Sequence, residues 1–247
     1  MDLFYKESGK GKPLLLLHGF PLDHSIWDEV ITLLDGQYRV IAPDLRGHGR
    51  SKASSDKFTI HDMALDVMQL LDDLKAKSAV VAGHSMGGYV ALELYRNFQE
   101  TFNKICLISS HVFEDSAEKK QARMESVDKI KHFGPAGALS NMPDLLTKDS
   151  QIKDRCRSMI GKMDGVGAAG AQYAMAHRTS SEKLWKDMPI NQLIIAGNAD
   201  QIIPIDISRK MSNISSHCSL IEVENAGHLP MWEEPVVVAD ALRKFLD

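Results

Sequence analysis

Short apolar runs, separated by turns and helical patterns, divide the first half of the chain. They cover residues 13–17, 39–42, 79–82 and 105–108. The apolar residues in these runs follow one another directly and do not alternate with polar ones. Such runs are typical of strands that are buried on both faces of a parallel sheet. We therefore predict four strands of this kind.

The segment between the second and third runs has the periodicity of an amphipathic helix. Thr59 precedes it as a candidate N-cap, and Asp62 occupies the third helical position. Its apolar residues recur at helical spacing and form one stripe: Ile60, Met63, Ala64, Val67, Leu70, Leu71 and Leu74. Strands alternating with helices predict an α/β fold with a mostly parallel central sheet flanked by helices.

The alternation breaks after Ser110. Over residues 111–185 the pattern predicts helices and loops without a buried strand. One apolar stripe in this part stops at Gly134-Pro135, and its members are Met124, Val127 and Ile130. This part of the chain is therefore predicted to be a helical insertion.

Strand-like runs return after the insertion. They cover residues 192–196 and 219–223, and a last helical pattern follows Pro235. We therefore predict one core domain made of residues 1–110 and 186–247, interrupted by the helical insertion over residues 111–185.

The composition narrows the class of protein. The 247 residues are 44% hydrophobic and 25% charged, which is ordinary for a globular domain. The 29 basic residues are fewer than the 33 acidic ones, so nucleic acid and anionic membranes are not expected partners. No apolar run is long enough to span a bilayer, and the N-terminus lacks a signal-peptide pattern. Three widely spaced cysteines without a CxxC motif predict free thiols and a cytoplasmic location.

One serine lies in a glycine-rich turn between a predicted strand and a predicted helix, in the stretch VVAGHSMGGYVALELY. A strand that turns directly into a helix crowds the residue at the apex, here Ser85. Gly83 and Gly87 flank it at two residues on either side and relieve that crowding. The strained turn lifts the hydroxyl clear of the sheet edge, which is the position of a nucleophile.

Attack by a serine on a carbonyl creates an oxyanion, which needs hydrogen-bond donors. The backbone N–H of Met86, at the start of the helix, is one candidate. The second is the N–H of Phe20, because Gly19 permits a tight bend after the first run and Pro21 favours an extended backbone at Phe20.

A serine hydroxyl needs a base, and the base needs an orienting acid. Asp200 follows a predicted strand and is the preferred acid, while its competitor Asp206 lies beyond Pro204 in a helix start. His228 follows the next strand and is the preferred base, since it completes the order serine, acid, histidine. His18 and His84 lie in turns, where we expect them to make structural hydrogen bonds.

Five motifs carry a resemblance to one known family, and they follow one another in the order in which that family has them. They are LLLLHGFPLDHSIW, VIAPDLRGHGRS, VVAGHSMGGYVALELY, LIIAGNADQIIP and VENAGHLPMWEEP. The chain resembles the α/β-hydrolase superfamily, in particular its small esterase, lactonase and haloperoxidase-like members with a helical cap. The resemblance implies Ser85 as nucleophile, Asp200 as acid, His228 as base, and Phe20 and Met86 as oxyanion donors.

The resemblance also assigns the remaining segments. The insertion over residues 111–185 corresponds to the cap, which roofs the pocket. The loop that begins at Asp44 resembles a structural loop at the sheet edge. In the cap we expect core packing of the helices, with the lining of an apolar pocket as the alternative, for Met124, Met159, Met163 and Met175. We expect Arg178 and His177 to be solvated, with contact to a polar substrate group as the alternative.

These residues predict a serine hydrolase that cleaves a small ester or lactone through an acyl-enzyme. We expect no organic cofactor and no metal, and a small-molecule substrate as the partner; the oligomeric state stays open. Two alternatives remain: a non-hydrolytic enzyme on the same triad, such as a lyase or a cofactor-free haloperoxidase, and a slow-turnover sensor of a small ligand.

Overall fold

A seven-stranded sheet is the centre of the computed structural model, which describes residues 1–34 and 36–247. The spatial order of the strands is β1-β3-β2-β4-β5-β6-β7. All neighbouring pairs are parallel except β1 with β3. The strands are β1 Tyr5–Ser8, β2 Pro13–Leu17, β3 Arg39–Pro43, β4 Ala79–His84, β5 Phe102–Ile108, β6 Asn191–Gly197 and β7 Cys218–Val223.

Helices follow most strands, and a group of them separates β5 from β6. The helices are α1 Asp28–Leu33, α2 Ile60–Asp73, α3 Met86–Asn97, α4 Ala117–Ala138, α5 Met142–Leu146, α6 Ser150–Lys162, α7 Gly165–Ala176, α8 Glu182–Asp187, α9 Ile205–Ile214, α10 Pro230–Glu233 and α11 Pro235–Leu246. The α/β fold predicted from the sequence, a mostly parallel sheet flanked by helices, is confirmed.

Both faces of the sheet are buried, as the continuous apolar runs predicted. In β2, Leu15 and Leu17 face one core with α2 and α3, while Leu14 and Leu16 face a second core with α1 and α11. All four leucines are fully buried. Alternate side chains of a strand point to opposite faces, so a run that is apolar at every position is needed to fill both cores.

The first turn of α2 has the cap that its sequence predicted. The Thr59 side chain accepts a hydrogen bond from the Asp62 backbone N–H, and the Asp62 carboxylate accepts one from the Thr59 N–H. This capping box satisfies donors that the helix itself cannot satisfy, so α2 begins at the residue after Thr59.

Helices α4 to α8 lie between β5 and β6, where helices were predicted. The backbone of α4 breaks at Gly134, which has a φ of 71°, and Pro135 follows. The apolar stripe of α4 therefore ends where the sequence indicated. The helix α7 packs against α4, and its Gly167 and Gly170 permit close approach to Gly47 and to the Phe58 ring. Across the described residues, the helices are too short or too polar to cross a bilayer.

Candidate active site

Ser85 stands at the turn between β4 and α3 in a strained conformation. Its φ is 50° and its ψ is −115°, values that a residue with a side chain rarely adopts. The end of β5 holds the turn: the Ser85 N–H donates to the Ile108 carbonyl at 2.9 Å, and the Ser110 hydroxyl donates to the Ser85 carbonyl at 2.8 Å. The strain is therefore supported on both sides of the serine.

The glycines around Ser85 are required by close contacts. A Cβ at Gly83 would collide with the backbone oxygen of Gly87, and one at Gly87 would collide with the backbone oxygen of Leu17. A Cβ at Gly88 would collide with the hydroxyl of Ser110. The prediction that Gly83 and Gly87 relieve crowding is confirmed, since α3 packs directly on the strand ends.

His228 and Asp200 meet at the carboxyl ends of β7 and β6. Nδ1 of His228 lies 2.7 Å from Oδ2 of Asp200, and both side chains are buried. The other oxygen of Asp200 accepts from the backbone N–H groups of Ile202 and Ile203 at 2.8 and 3.0 Å. Asp200 is thus fixed by its own loop. Its hydrogen bond with His228 places the imidazole proton on Nδ1 and leaves a lone pair on Nε2.

The competitor Asp206 lies apart from this pair. It is exposed in the first turn of α9, whose N-cap is Pro204, and it forms an ion pair with Arg209. The preference for Asp200 therefore agrees with the geometry, since the carboxylate at position 200 alone of the two bonds to His228.

Hydrogen bonds to Glu233 and to Leu146 hold the loop that carries His228. The Glu233 carboxylate accepts from the N–H groups of Gly227 and Leu229 at 2.8 and 3.2 Å. The His228 N–H donates to the Leu146 carbonyl at 2.9 Å, which ties the loop to α5. Burial raises the pKa of Glu233, and the Thr147 hydroxyl donates to its second oxygen at 2.6 Å.

His84 supports the same loop from the sheet. Its Nε2 lies 2.8 Å from the His228 carbonyl, so it donates there. Burial, and then the proximity of His228, lower the pKa of His84 well below its usual value, which keeps the ring neutral. His18 accepts from the Leu45 N–H at 2.9 Å. Both histidines make the structural hydrogen bonds that the sequence predicted.

The loop after β2 lies directly against the serine. A Cβ at Gly19 would be 2.9 Å from the Cβ of Ser85, so only glycine permits this approach. Phe20 follows, joined to Pro21 by a cis peptide bond. Among the described residues, the N–H groups of Phe20 and Met86 donate to no protein acceptor. Two donors are thus available beside the serine.

A cavity of about 180 Å³ opens above the serine. Ser85, His228 and Phe20 all line it, so three of the predicted site residues share one space. Asp200 lies behind His228, and Met86 is buried at the start of α3. The remaining lining comes mainly from the helical segment and the Asp200 loop: Tyr89, Lys119, Arg123, Met142, Leu145, Gln172, Met175, Ile202 and Ile203.

Arg178 is buried, so the expectation that it is solvated is wrong. Its guanidinium donates to Asp115 at 2.8 and 2.9 Å, and it stacks 4.0 Å from the centre of the Tyr89 ring. Arg123 bonds to the same carboxylate at 2.5 Å. The two arginines hold the pKa of Asp115 far below its usual range against the opposing effect of burial. His177, in contrast, is exposed as expected.

The Asp44 loop is structural, as the sequence indicated. Asp44 is buried and accepts from the backbone N–H groups of His24 and Arg50, both at 2.9 Å. With Asp23, the side chains of His24 and Asp44 form a group whose ligand atoms lie within 4.8 Å of one another. That spacing suits a metal, but Nδ1 of His24 already lies 2.6 Å from Asp44, which raises the pKa of the imidazole.

A family model described as the alpha/beta hydrolase family matches residues 14–241. The chain belongs to that family. A serine in a strained strand-to-helix turn, with a histidine later in the chain, is typical of this fold.

The proteins to which this chain is similar include esterases, a lactonase and haloperoxidases. A thermophilic esterase from Thermogutta terrifontis, solved with malate bound, is 31% identical with a TM-score of 0.95, covering 99% of this chain and 92% of that one. A putative non-heme chloroperoxidase of Synechocystis is 36% identical, over 100% of this chain and 95% of the relative. The 3-oxoadipate enol-lactonase 1 of Acinetobacter baylyi is 29% identical, over 86% of this chain and 80% of the relative.

Lys119 and Arg123 of α4 and Gln172 of α7 line the cavity, and the sequence did not predict them. Met175 of α7, for which core packing was preferred over pocket lining, is buried and also lines the cavity. Lys119 and Arg123 are four residues apart in α4, the spacing that places two side chains on one helix face. The spacing indicated that the two side chains share a face of α4, but the sequence did not show which face meets the sheet. Glu233 was also missed, although it lies within the motif VENAGHLPMWEEP.

Proposed function

We propose that this protein is a serine hydrolase that cleaves a small carboxylic ester or lactone through an acyl-enzyme. The nucleophile is Ser85, the base is His228, and the orienting acid is Asp200. The N–H groups of Phe20 and Met86 form the oxyanion hole. The helices between β5 and β6, over residues 111–185, are the cap, and residues 1–110 and 186–247 are the core.

One observation carries the proposal. A buried pair, His228 with Asp200, stands at the cavity that also contains a serine in a strained turn. A histidine–carboxylate pair is common in proteins, so the pair alone indicates little. A strained backbone, in contrast, is retained only where the surrounding structure supports it. Here the supporting contacts converge on the serine and on the histidine loop.

The reaction begins when Ser85 attacks the carbonyl carbon and His228 takes its proton at Nε2. The negative charge on the former carbonyl oxygen is stabilised by the two backbone N–H groups. His228 then gives the proton to the leaving alcohol, and the ester bond to that alcohol breaks. A water molecule attacks the acyl-enzyme, again with His228 as base, and releases the acid.

The relatives support the reaction class. A 31% identical protein is an esterase, and a 29% identical one is an enol-lactonase. Both reactions attack an acyl carbon and break a bond to oxygen. The three free cysteines support a cytoplasmic location as part of the same proposal.

A second candidate is a cofactor-free haloperoxidase activity, favoured by the 36% identical chloroperoxidase. Its first half-reaction on the same residues would be identical, and hydrogen peroxide would then replace water to give a peracid. Product analysis separates the two. Hydrolysis yields the acid directly, whereas perhydrolysis yields a peracid that oxidises added bromide to hypobromite, and the hypobromite then brominates an added acceptor.

The testing experiment compares the wild type with Ser85→Ala on short-chain aryl esters and small lactones. We expect turnover to fall by about 10⁴-fold or more while the circular dichroism spectrum is unchanged, because the variant lacks the nucleophile. Ser25→Ala is the matched control, since its hydroxyl lies in a turn held by Asp23. Near-normal turnover in Ser85→Ala would overturn the assignment.

A further inference from the structure

Lys119 brings a positive charge to the cavity, and none of the described residues forms an ion pair with it. Its side chain lines the cavity beside the serine, and within the described chain its ammonium has no carboxylate within 4.0 Å. Lys119 as a whole is exposed, yet its pKa is lowered, first by partial desolvation and then by the charge of Arg123. The position is in the first turn of α4, where the helix dipole also disfavours a cation.

The neighbouring guanidinium groups add to this charge. One carboxylate, Asp115, is shared by Arg123 and Arg178, so a positive charge is left over. The Nε of Arg123 bonds to Asp115 and its Nη1 bonds to Gln172 at 3.2 Å. Among the described residues, no acceptor bonds to Nη2 of Arg123, and this residue lines the cavity.

The carboxylate of Asp200 does not neutralise this wall. Both of its oxygens already accept hydrogen bonds, one from His228 and the other from the N–H groups of Ile202 and Ile203. Asp200 also lies behind the His228 ring rather than in the cavity lining. The cationic side of the cavity therefore faces a space in which no described protein group supplies an anion.

The geometry points to a substrate that carries its own carboxylate: Lys119 and Arg123 bind that carboxylate while Ser85 attacks an ester or lactone carbonyl elsewhere in the same molecule. This inference rests on the proposed hydrolase function and names its substrate class. One oxygen of the carboxylate would accept from the ammonium of Lys119, and the other from Nη2 of Arg123.

The rest of the cavity limits the size and polarity of such a substrate. The volume of about 180 Å³ admits a small molecule, and Met142, Leu145 and Met175 give apolar contacts. A short carbon chain that ends in a carboxylate at one side and an ester at the other meets both demands. Half-esters of short dicarboxylic acids, and lactones with a carboxylate substituent, are the simplest molecules of this kind.

Two matched substrate pairs test the inference, one for each side of the ester. The first pair is monoethyl glutarate and ethyl pentanoate, which differ by a carboxylate at the end of the acyl chain. The second pair is 3-acetoxybenzoate and its methyl ester, which differ by a carboxylate on the leaving group. We expect kcat/KM to favour the anion in at least one pair. A preference for the neutral ester in both pairs would overturn the inference.

Variants of Lys119 test whether its positive charge causes the preference for the anionic ester. Lys119→Met keeps the length of the side chain and removes its charge. We expect it to lower the ratio of kcat/KM, anion over neutral ester, by about tenfold, as expected for one charge-assisted hydrogen bond. Lys119→Arg should restore most of the ratio. Lys129→Met is the matched control, because Lys129 is exposed on the same helix and does not line the cavity.

A binding measurement separates this inference from the proposed hydrolysis. Calorimetry with glutarate is carried out on the wild type, Lys119→Met and Lys129→Met. About tenfold weaker binding in Lys119→Met alone supports the anion site even if no ester is cleaved. Equal binding in all three proteins, or an unchanged substrate ratio in Lys119→Met, would overturn the anion site and leave the hydrolase proposal intact.

Discussion

Nδ1 of His228 lies 2.7 Å from Oδ2 of Asp200, and each side chain is only 1% exposed. A hydrogen bond in this environment fixes the tautomer of the imidazole and leaves Nε2 free to accept a proton. Because the two residues are 28 positions apart on different loops, the contact exists only when β6 and β7 are paired. The candidate base is thus a property of the folded sheet.

Asp200→Asn tests the orienting role of this carboxylate. The amide favours the wrong tautomer of His228, so we expect kcat on an aryl ester to fall on the order of 10³- to 10⁴-fold with little change in fold. Steady-state kinetics measure the loss. The control is Asp206→Asn, which removes an exposed carboxylate that pairs with Arg209 and not with His228, so kcat should stay close to the wild-type value. Equal effects of the two variants would contradict the assignment.

Gly83→Ala tests the packing of the serine turn. The added Cβ meets the backbone oxygen of Gly87, and neither backbone can move without shifting α3. We expect the free energy of unfolding to fall by about 2–3 kcal/mol or more, as for other overpacked sites. Urea denaturation measures it. In Gly161→Ala, the Cβ meets nothing within 4 Å in α6, and helix propensity should raise stability by up to about 1 kcal/mol. A tolerated Gly83→Ala would show that the turn is not crowded.

Asp115→Asn tests the charge balance above the cavity. The two arginines lower the pKa of Asp115 in the fold, so its stabilisation is present above the unfolded pKa of about 4 and is lost as the pH falls toward the lower folded pKa. We expect the variant to be less stable at pH 7 by about 3 kcal/mol and the difference from wild type to shrink as the solution is acidified. Urea denaturation between neutral and acid pH measures both.

The control for this prediction is Asp187→Asn. Asp187 pairs with Lys183, whose side chain is 92% exposed, so its removal should cost little at any pH. If the acid dependence of Asp115→Asn matches that of the wild type and of this control, the buried cluster does not contribute to acid stability.

The sequence predicted the parts of the fold that local pattern determines. The buried strands are continuous apolar runs, α2 has its cap in Thr59 and Asp62, and the stripe of α4 ends at Gly134. The strand Tyr5–Ser8 was not predicted, because it is short, half exposed and at the edge of the sheet, where it pairs antiparallel with β3. Such a strand needs little apolar sequence.

In the candidate site, the residues at strand ends were predictable from the sequence, and the contacts between distant helices were not. Ser85, Asp200 and His228 lie at strand ends, which a parallel sheet brings to one edge. The burial of Arg178 was not predictable, because its partner Asp115 is 63 residues away and the pairing depends on how α4 and α7 pack. Patterns of local sequence carry no information on such a contact.

Labelling with a fluorophosphonate tests whether His228 activates Ser85 as a nucleophile. The probe forms a covalent bond only with an activated serine, and peptide mapping by mass spectrometry identifies the modified residue. We expect one label per chain, on Ser85. It should be absent in Ser85→Ala and form much more slowly in His228→Gln. A folded wild-type protein that stays unlabelled, or carries its label on another serine, would show that Ser85 is not an activated nucleophile.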